Sequence, residues 1–289
     1  MSRLNAKCTN CKGIYETRIM VPVKDNRRIN GKVAYLCQYC ATNNERYMSG
    51  RDSATIGGVD DGFKFGIELE TNASNLEFRQ LMFRFGFEAT NDCSLDNIGE
   101  RRYNGLASCE YVSATNKGVK RFAKQFIEIE KALNTGDVIM NDTCGTHCHI
   151  SYNDMRNGEM GMICSYFQSI FTAMQNVMIA NPEKTREFFG RYFTDYAPTF
   201  NADTHMRVGF HGDRYVWVNC TNRNNIEFRL NKFRTADQMR KCIMFEKWVV
   251  KTIVDNFTSK YHETTDKKTL AKKTGAKLAR KLQKIYDEM

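Results

Sequence analysis

The sequence lacks the features that mark several large protein classes. No apolar run approaches the ~20 residues that cross a bilayer, and the first residues, MSRLNAKCTNC, contain no apolar core of a secretory signal. There is no Walker A loop and no GxGxxG after a strand, so nucleotide binding by those two routes is not supported. No internal repeat is evident. We therefore expect a soluble, cytoplasmic protein without a membrane partner.

The 289 residues, of which 42% are apolar, suffice for one large domain and one small one. Positive charge is concentrated at the two ends of the chain. Residues 1–51 hold ten Lys/Arg and three Asp/Glu, a net charge of +7, and residues 264–289 hold eight and three, a net charge of +5. The stretch between them is close to neutral. Such ends are expected of a protein that meets an anionic partner such as nucleic acid, or of one whose ends only aid solubility.

Two CxxC pairs lie near the start of the chain: Cys8, Cys11, Cys37 and Cys40. The segment between them predicts a β-hairpin that turns at Asn30 and Gly31. Four thiolates at the base of a hairpin give the closed tetrahedral coordination of a structural zinc ion. We expect a zinc-ribbon-like module over residues 1–50, stabilised by Zn²⁺, and a polar linker over 51–62. The alternative is four unrelated buried cysteines.

Strands with apolar residues on one face and charged residues on the other are predicted in four segments. In FKFGIELE, the aromatic and aliphatic side chains alternate with glutamates, and CGTHCHIS and NIEFRL have the same period of two. A short strand is expected in ASCEYVSA, and RYVWVNC (214–220) is expected to pair with NIEFRL. The polar faces carry Glu68, Glu70, Glu110, His147, His149, Glu227 and Arg229.

Helical periodicity predicts helices between and after these strands. They are expected near 116–133 and 160–179, and from Thr235 onward, where Thr-x-x-Gln is typical of a capping box. A basic amphipathic helix is predicted within the last segment, 259–289. Strand pairs interleaved with long helices favour an α+β domain over 63–258, with a mainly antiparallel sheet and packed helices.

The residue types on the polar faces suit metal-bound nucleotide phosphates. Carboxylates are the ligands that hard cations such as Mg²⁺ prefer. Imidazoles add a nitrogen ligand and a phosphate contact, and Arg229 and Arg207 can hold phosphate oxygens in bidentate hydrogen bonds. Each pair alone would usually be a solvated strand face; it is their combination that predicts a site.

These segments resemble the amidoligase family, which is related to glutamine synthetase and glutamate–cysteine ligase. FGIELE, DCS with SCEYVSA, CGTHCHI, and YVWVN with NIEFR occur in the family's order. The resemblance covers about Phe63 to Thr235 and reaches neither the cysteine-rich start nor the basic tail. It implies a glutamine-synthetase-like antiparallel sheet.

The resemblance also implies roles for individual residues. His149 would contact the nucleotide phosphates, and Arg229 would stabilise the transferred phosphoryl group. Ala114 stands where the family often has proline, and Cys93 and Cys148 replace more usual residues, but none of these departures removes a group that the chemistry needs. The implied ligands of Mg²⁺ or Mn²⁺ are Glu68, Glu70, Glu110, His147 and Glu227.

The implied activity is an ATP-dependent carboxylate–amine ligation through an acyl phosphate. The sequence does not identify the acid or the amine, which can be free amino acids, a peptide, a protein side chain or a nucleobase. Two alternatives stay open. One is a zinc hydrolase that uses His147 and His149, and the other is a zinc-ribbon nucleic-acid-binding protein with an inactive ligase-like scaffold.

Overall fold

In the computed structural model of the chain, the described residues are 62–90, 108–116, 118–135, 138–152, 155, 157–195, 197–209, 215–222, 224–258 and 266–289, with the backbone of short strands before residue 37. The fold is α+β, with a mostly antiparallel six-stranded sheet and packed helices, as the sequence predicts. In the described part of the chain, no helix has the length and apolarity needed to span a membrane.

The short strands of the first segment form antiparallel pairs. They are β1 (Asn5–Lys7), β2 (Ile14–Glu16), β3 (Val21–Pro22), β4 (Arg28–Ile29), β5 (Lys32–Val33) and β6 (Tyr35–Leu36). Strand β4 pairs with β5 so that Ile29 faces Lys32, and β3 pairs with β6. These pairings agree with a hairpin around residues 30–31, but β2 pairs with β1 and not with the second strand of the predicted hairpin. The four predicted zinc ligands are not among the described residues. They are Cys8, Cys11, Cys37 and Cys40.

The six-stranded sheet has the order β13–β14–β12–β7–β10–β9. Its strands are β7 (Phe63–Thr71), β9 (Phe87–Thr90), β10 (Cys109–Ser113), β12 (Thr146–Tyr152), β13 (Val218–Asn219) and β14 (Ile226–Phe228). The predicted hairpin partner of NIEFRL is confirmed, because β13 pairs antiparallel with β14. It is shorter than the predicted strand over 214–220.

The chain forms two compact units, of which the first comprises residues 1–58 and 66–144. Here β10 pairs antiparallel with both β7 and β9. The unit also contains β8 (Ala73–Ser74), α1 (Leu76–Arg84), α2 (Val119–Asn134) and β11 (Val138–Ile139). Helix α1 begins where Asn75 Oδ1 accepts a hydrogen bond from Phe78 N at 2.8 Å, which satisfies one of the free N–H groups of its first turn.

Helix α2 buries one side, as its amphipathic pattern predicts. Phe122 and Phe126 are almost fully buried, and Ile129 is buried as well. The helix begins at Val119 rather than near residue 116. Ile127 is 43% exposed, because at 100° per residue it turns away from this buried side.

The second unit comprises residues 59–65 and 145–289. Its helices are α3 (Asn157–Ser165), α4 (Phe167–Ala180), α5 (Pro182–Phe189), α6 (Ala236–Thr258) and α7 (Lys267–Glu288). The helix predicted over 160–179 is therefore interrupted at Tyr166. Helix α6 begins as predicted, with Gln238 N donating to Thr235 Oγ1 at 3.1 Å.

Aromatic residues fill the core of the second unit, and the indole N–H of one of them makes a buried hydrogen bond. Trp217 packs edge-on against Phe171, and its Nε1 donates to Gln175 Oε1 at 2.9 Å. Strand β12 carries the buried Cys148 and Ile150 on one face, which leaves His147 and His149 on the other, because side chains alternate along a strand.

Candidate functional site

In the first unit, β7 and β10 bring three predicted metal ligands together. Glu110 lies directly opposite Glu70 in the antiparallel register, and Val112 lies opposite Glu68. Because one face of a strand carries every second residue, the three carboxylates share a face. Glu70 is buried, and Glu68 and Glu110 are half-buried. Neighbouring Thr90 Oγ1 donates to Glu110 Oε2 at 3.0 Å.

The crowding of these carboxylates has an electrostatic consequence. Burial raises the pKa of Glu110 from 4.5 to about 8, and the nearby charges of Glu68 and Glu70 add to the rise. Like charges in a partly buried site disfavour ionisation. A divalent cation would reverse this by pairing with the negative charge. The donor set therefore fits Mg²⁺ or Mn²⁺, which take oxygen ligands.

In the second unit, Glu227 on β14 is the centre of a polar cluster. Its Oε1 accepts a hydrogen bond from Arg229 Nη1 at 2.6 Å and lies 3.5 Å from His147 Nδ1. Its Oε2 accepts from Asn219 Nδ2 at 2.7 Å. The carboxylate and the imidazole are almost fully buried, and the Arg229 side chain is 12% exposed. These contacts bring together His147, Glu227 and Arg229.

The orientation of Glu227 is set by Asn219, whose role the sequence alone does not indicate. Asn219 faces Glu227 across the β13–β14 pair. Its Oδ1 accepts from both the N–H and the hydroxyl of Thr221 at 2.8 Å, which leaves its amide N–H group to bind the carboxylate. Asn219 is the last residue of the YVWVN segment. The resemblance to amidoligases therefore includes this residue but does not indicate that it orients Glu227.

His149 is placed on the same face as Glu227. The two residues are directly opposite each other in the β12–β14 register. The ring is half-buried, and its Nδ1 is 3.1 Å from Asn225 Oδ1. Such a contact fixes the ring's orientation, so Nε2 is the nitrogen that a phosphate or a metal ion would meet.

Arg191 is a buried cation beside this cluster that no pattern in the sequence singles out. It follows Gly190, which ends α5 in the left-handed conformation with φ 89°. Arg191 Nε donates to the carbonyl of Leu230 at 3.3 Å, and its Nη2 donates to the carbonyl of Arg229. The guanidinium therefore binds two backbone carbonyls directly after β14. In the sequence, the only hint of this role is that Arg191 follows a glycine at the end of a helix.

The packing around Gly145 explains why the CGTHCHI segment has a glycine at this position. A Cβ at this position would lie 2.6 Å from Arg191 Nη2 and 3.1 Å from His147 Nε2. The first distance is too short for any real carbon–nitrogen contact. Glycine thus allows the Arg191 guanidinium and the His147 ring to lie side by side.

Arg207 lies in a different environment from the cluster around Glu227. Its side chain is exposed and lines a cavity of about 510 Å³ with residues of α3 and with Met206, Val208 and Gly209. Among the described residues, those that line this cavity include none of the predicted Mg²⁺ ligands. A role of Arg207 in phosphate binding stays a prediction.

The cysteines of the described segments are buried thiols, not reactive ones. Burial raises the pKa of Cys148, Cys220 and Cys242 well above 9.0, and that of Cys164 to about 11. Because the thiolate is the nucleophilic form, these residues are unsuited to covalent catalysis at neutral pH. The polar clusters of the described residues consist instead of carboxylates, imidazoles and guanidinium groups.

Comparison with known proteins assigns no family to this chain. It matches no protein-family model, and no curated protein matches it.

Proposed function

We propose that this chain is an ATP- and magnesium-dependent carboxylate–amine ligase. The observation that carries the proposal is the environment of Glu227, which shares one carboxylate oxygen between the Arg229 guanidinium at 2.6 Å and the His147 ring at 3.5 Å. A carboxylate and an imidazole are metal ligands, and a guanidinium is the preferred phosphate ligand. Their close packing supports a site for metal-bound phosphate.

In this proposal Glu68, Glu70, Glu110, His147 and Glu227 hold Mg²⁺ or Mn²⁺. The bound cations would neutralise charge on the phosphates of ATP. The pKa of Glu110, which is raised first by burial and then by the charges of Glu68 and Glu70, supports the assignment, because a bound cation would favour the ionised carboxylate. Asn219 holds the Glu227 carboxylate in place, as supporting hydrogen bonds do at metal sites.

The protein's own groups would then act on the phosphoryl group. Arg229 stabilises the charge on the γ-phosphoryl group during transfer, and His149 Nε2 binds a phosphate oxygen. An oxygen of the acid substrate displaces ADP and forms an acyl phosphate. The amine attacks the acyl carbon, inorganic phosphate leaves, and the amine proton is lost. The products are an amide, ADP and phosphate.

The proposal has three further parts. The six-stranded sheet is taken as glutamine-synthetase-like, which is supported by the order of the matching segments. Cys8, Cys11, Cys37 and Cys40 hold a structural Zn²⁺, which is supported by their spacing and by the hairpin between them. The compartment is the cytoplasm, where such thiols stay available for metal.

The test is release of ADP from ATP and Mg²⁺ in the presence of panels of carboxylic acids, amino acids and peptides, each with ammonia or an amine. We expect release that requires both substrates and that is lost in Arg229→Ala. Hydrolysis of amides or esters without ATP, dependent on His147 and His149, would instead support the zinc hydrolase. No turnover together with no nucleotide binding would support an inactive scaffold.

A further inference from the structure

Helix α7 is held on the second unit by a narrow apolar stripe. The stripe consists of Ala271, Thr274, Gly275, Leu278, Leu282 and Tyr286, all buried. Gly275 comes so close to α4 that an added Cβ would lie 2.7 Å from the carbonyl oxygens of Ser169 and Ile170. At the far end of the helix, the Tyr286 hydroxyl is 2.9 Å from Thr185 Oγ1. These contacts fix which side of α7 faces solvent.

The side of α7 away from this stripe is strongly basic. It carries Lys273, Lys277, Arg280, Lys281 and Lys284, all exposed. At 100° and 1.5 Å per residue, these five positions fall within an arc of about 100° and a length of about 16 Å. We call these five side chains the basic face.

Among the described residues, few carboxylates neutralise the charge on this face. Within the described ranges, Lys284 has an ion-pair partner, Glu288, at 3.7 Å between charged atoms. Lys277 lies over the Trp248 ring at 5.9 Å. By contrast, Lys241 and Arg240 on the neighbouring α6 both pair with Asp237 at 2.8 Å. The two helices therefore differ in the charge that they offer to a partner.

We propose that the basic face of α7 binds the phosphate backbone of a nucleic acid. Duplex DNA presents one negative charge per ~1.7 Å of its axis, so several phosphates lie within reach of a row of this length. The row is rigid, because it is built on a helix anchored at Gly275 and Tyr286. This inference goes beyond the proposed ligase activity and does not depend on it.

A lipid surface fits the observations less well. A helix that lies in a membrane interface inserts an apolar face between the lipids. In α7 that face is already occupied, since Leu278 and Leu282 are 0% exposed. Phosphate contact requires only the cations, which are the groups that α7 exposes. The apolar stripe also makes deletion of α7 a poor test, because deletion would uncover α4.

The test compares two variants that lose the same charge. One replaces Lys273, Lys277, Arg280 and Lys281 by Gln, and its matched control replaces Lys120, Arg121, Lys124 and Lys131 of α2 by Gln. Both sets contain three lysines and one arginine, and all eight side chains are exposed. Circular dichroism melting of each variant shows whether its fold is retained.

The measurement is fluorescence anisotropy of labelled 20-base-pair DNA and RNA duplexes between 50 and 200 mM salt, using the full chain. Each phosphate contact contributes about 0.9 to the slope of log K against log salt. We expect the α7 variant to lose about 3 to 4 from that slope and at least tenfold in affinity at 50 mM salt. For each duplex that the wild type binds, the α2 control should keep the wild-type slope.

Three results would overturn the proposal. They are absence of wild-type binding to either duplex at 50 mM salt, an equal loss in both variants, and an unchanged slope in the α7 variant. A parallel arm uses vesicles that contain phosphatidylserine. Binding to these vesicles without binding to a duplex would assign the basic face to a membrane and would also overturn the proposal.

Discussion

Arg229 Nη1 donates to Glu227 Oε1 at 2.6 Å, and His147 Nδ1 lies 3.5 Å from that same oxygen. The guanidinium that is proposed to stabilise the phosphoryl group therefore pairs with a carboxylate that is proposed to bind metal. A cation bound at Glu227 would either share this carboxylate with Arg229 or displace the Arg229 guanidinium from it, because both positive groups pair with the same negative charge. The two residues should thus have separable effects on metal binding and on turnover.

Substitutions at these two positions test that separation. Arg229→Ala removes a positive charge next to the metal ligand, so Mn²⁺ should bind as tightly as in the wild type or more tightly. Turnover should fall about 10²- to 10³-fold, as for loss of one transition-state donor. Glu227→Gln should weaken Mn²⁺ binding at least tenfold. Electron paramagnetic resonance measures free Mn²⁺, and ADP release measures turnover.

A surface ion pair in the same unit provides the matched control. Arg186 Nη1 pairs with Glu183 at 2.9 Å, and both side chains are more than half exposed. Because exposed pairs contribute little, Arg186→Ala should change neither Mn²⁺ binding nor turnover. Parallel losses of metal binding in Arg229→Ala and Glu227→Gln would contradict the assigned roles.

Gly145 gives a prediction about the packing of the cluster. In Gly145→Ala, the new methyl group would overlap Arg191 Nη2 and press on the His147 ring. Such overpacking should lower the free energy of unfolding by about 1–3 kcal/mol and reduce metal affinity. Gly161→Ala is the control, since it is inside α3 and no described atom beyond its chain neighbours and the backbone of its own helix lies within 4 Å of its Cβ position. It should be neutral or stabilising by up to about 1 kcal/mol. Chemical denaturation compares the two, and equal effects would refute the packing argument.

Glu246 on α6 gives a pH-dependent prediction. It is 0% exposed, and its Oε1 accepts from Asn231 Nδ2 at 2.7 Å. Burial raises its pKa from 4.5 to about 8. The folded protein therefore retains a proton that the unfolded chain loses, so the contribution of Glu246 to the free energy of unfolding falls as pH rises from 4.5 to about 8.

The amide in Glu246→Gln cannot ionise, and its oxygen can still accept from Asn231. We expect this variant and the wild type to have similar melting temperatures near pH 5. At pH 8 the variant should melt at a higher temperature than the wild type. Calorimetric melting across this pH range is the measurement. A difference in melting temperature that does not change with pH would show that Glu246 is ionised in the folded protein.

The strands and their polar faces were predictable because a period of two needs only local sequence. FKFGIELE assigns Glu68 and Glu70 to one face without any knowledge of neighbours, and β7 has that arrangement. The contact between Gly145 and Arg191 was not predictable in the same way, since it joins positions 46 residues apart in the chain. The interruption at Tyr166 was missed because the apolar pattern continues across it.

Some residues of the candidate site lie in recognisable sequence segments, but the sequence does not show what they contact. Asn219 and Gly145 both lie in the segments that resemble amidoligases, but their roles depend on partners across the sheet or just after the end of α5. Glu246 was hidden for a different reason. A helical pattern assigns it to a face of α6, but it does not show that the side chain is buried or that it hydrogen-bonds to Asn231 and Cys148, which are distant in the sequence.

The zinc prediction concerns Cys8, Cys11, Cys37 and Cys40, outside the described residues. Purified protein should contain about one Zn²⁺ per chain, and Cys11→Ser or Cys40→Ser should remove it. Cys164→Ser is the control, because Cys164 is a buried thiol that donates to the carbonyl of Cys220. Elemental analysis by mass spectrometry is the measurement. Zinc that persists in both cysteine variants but is lost in His147→Ala would instead favour the hydrolase.

Calorimetric titration of the wild-type chain with a non-hydrolysable ATP analogue, with and without Mg²⁺, tests the central claim most directly. The ligase proposal predicts saturable binding that requires Mg²⁺ and is lost in Glu68→Gln and Glu227→Gln, while the Arg186→Ala control binds like the wild type. Absence of binding by the wild type with Mg²⁺ present, or binding that is unaffected by both glutamate substitutions, would contradict it.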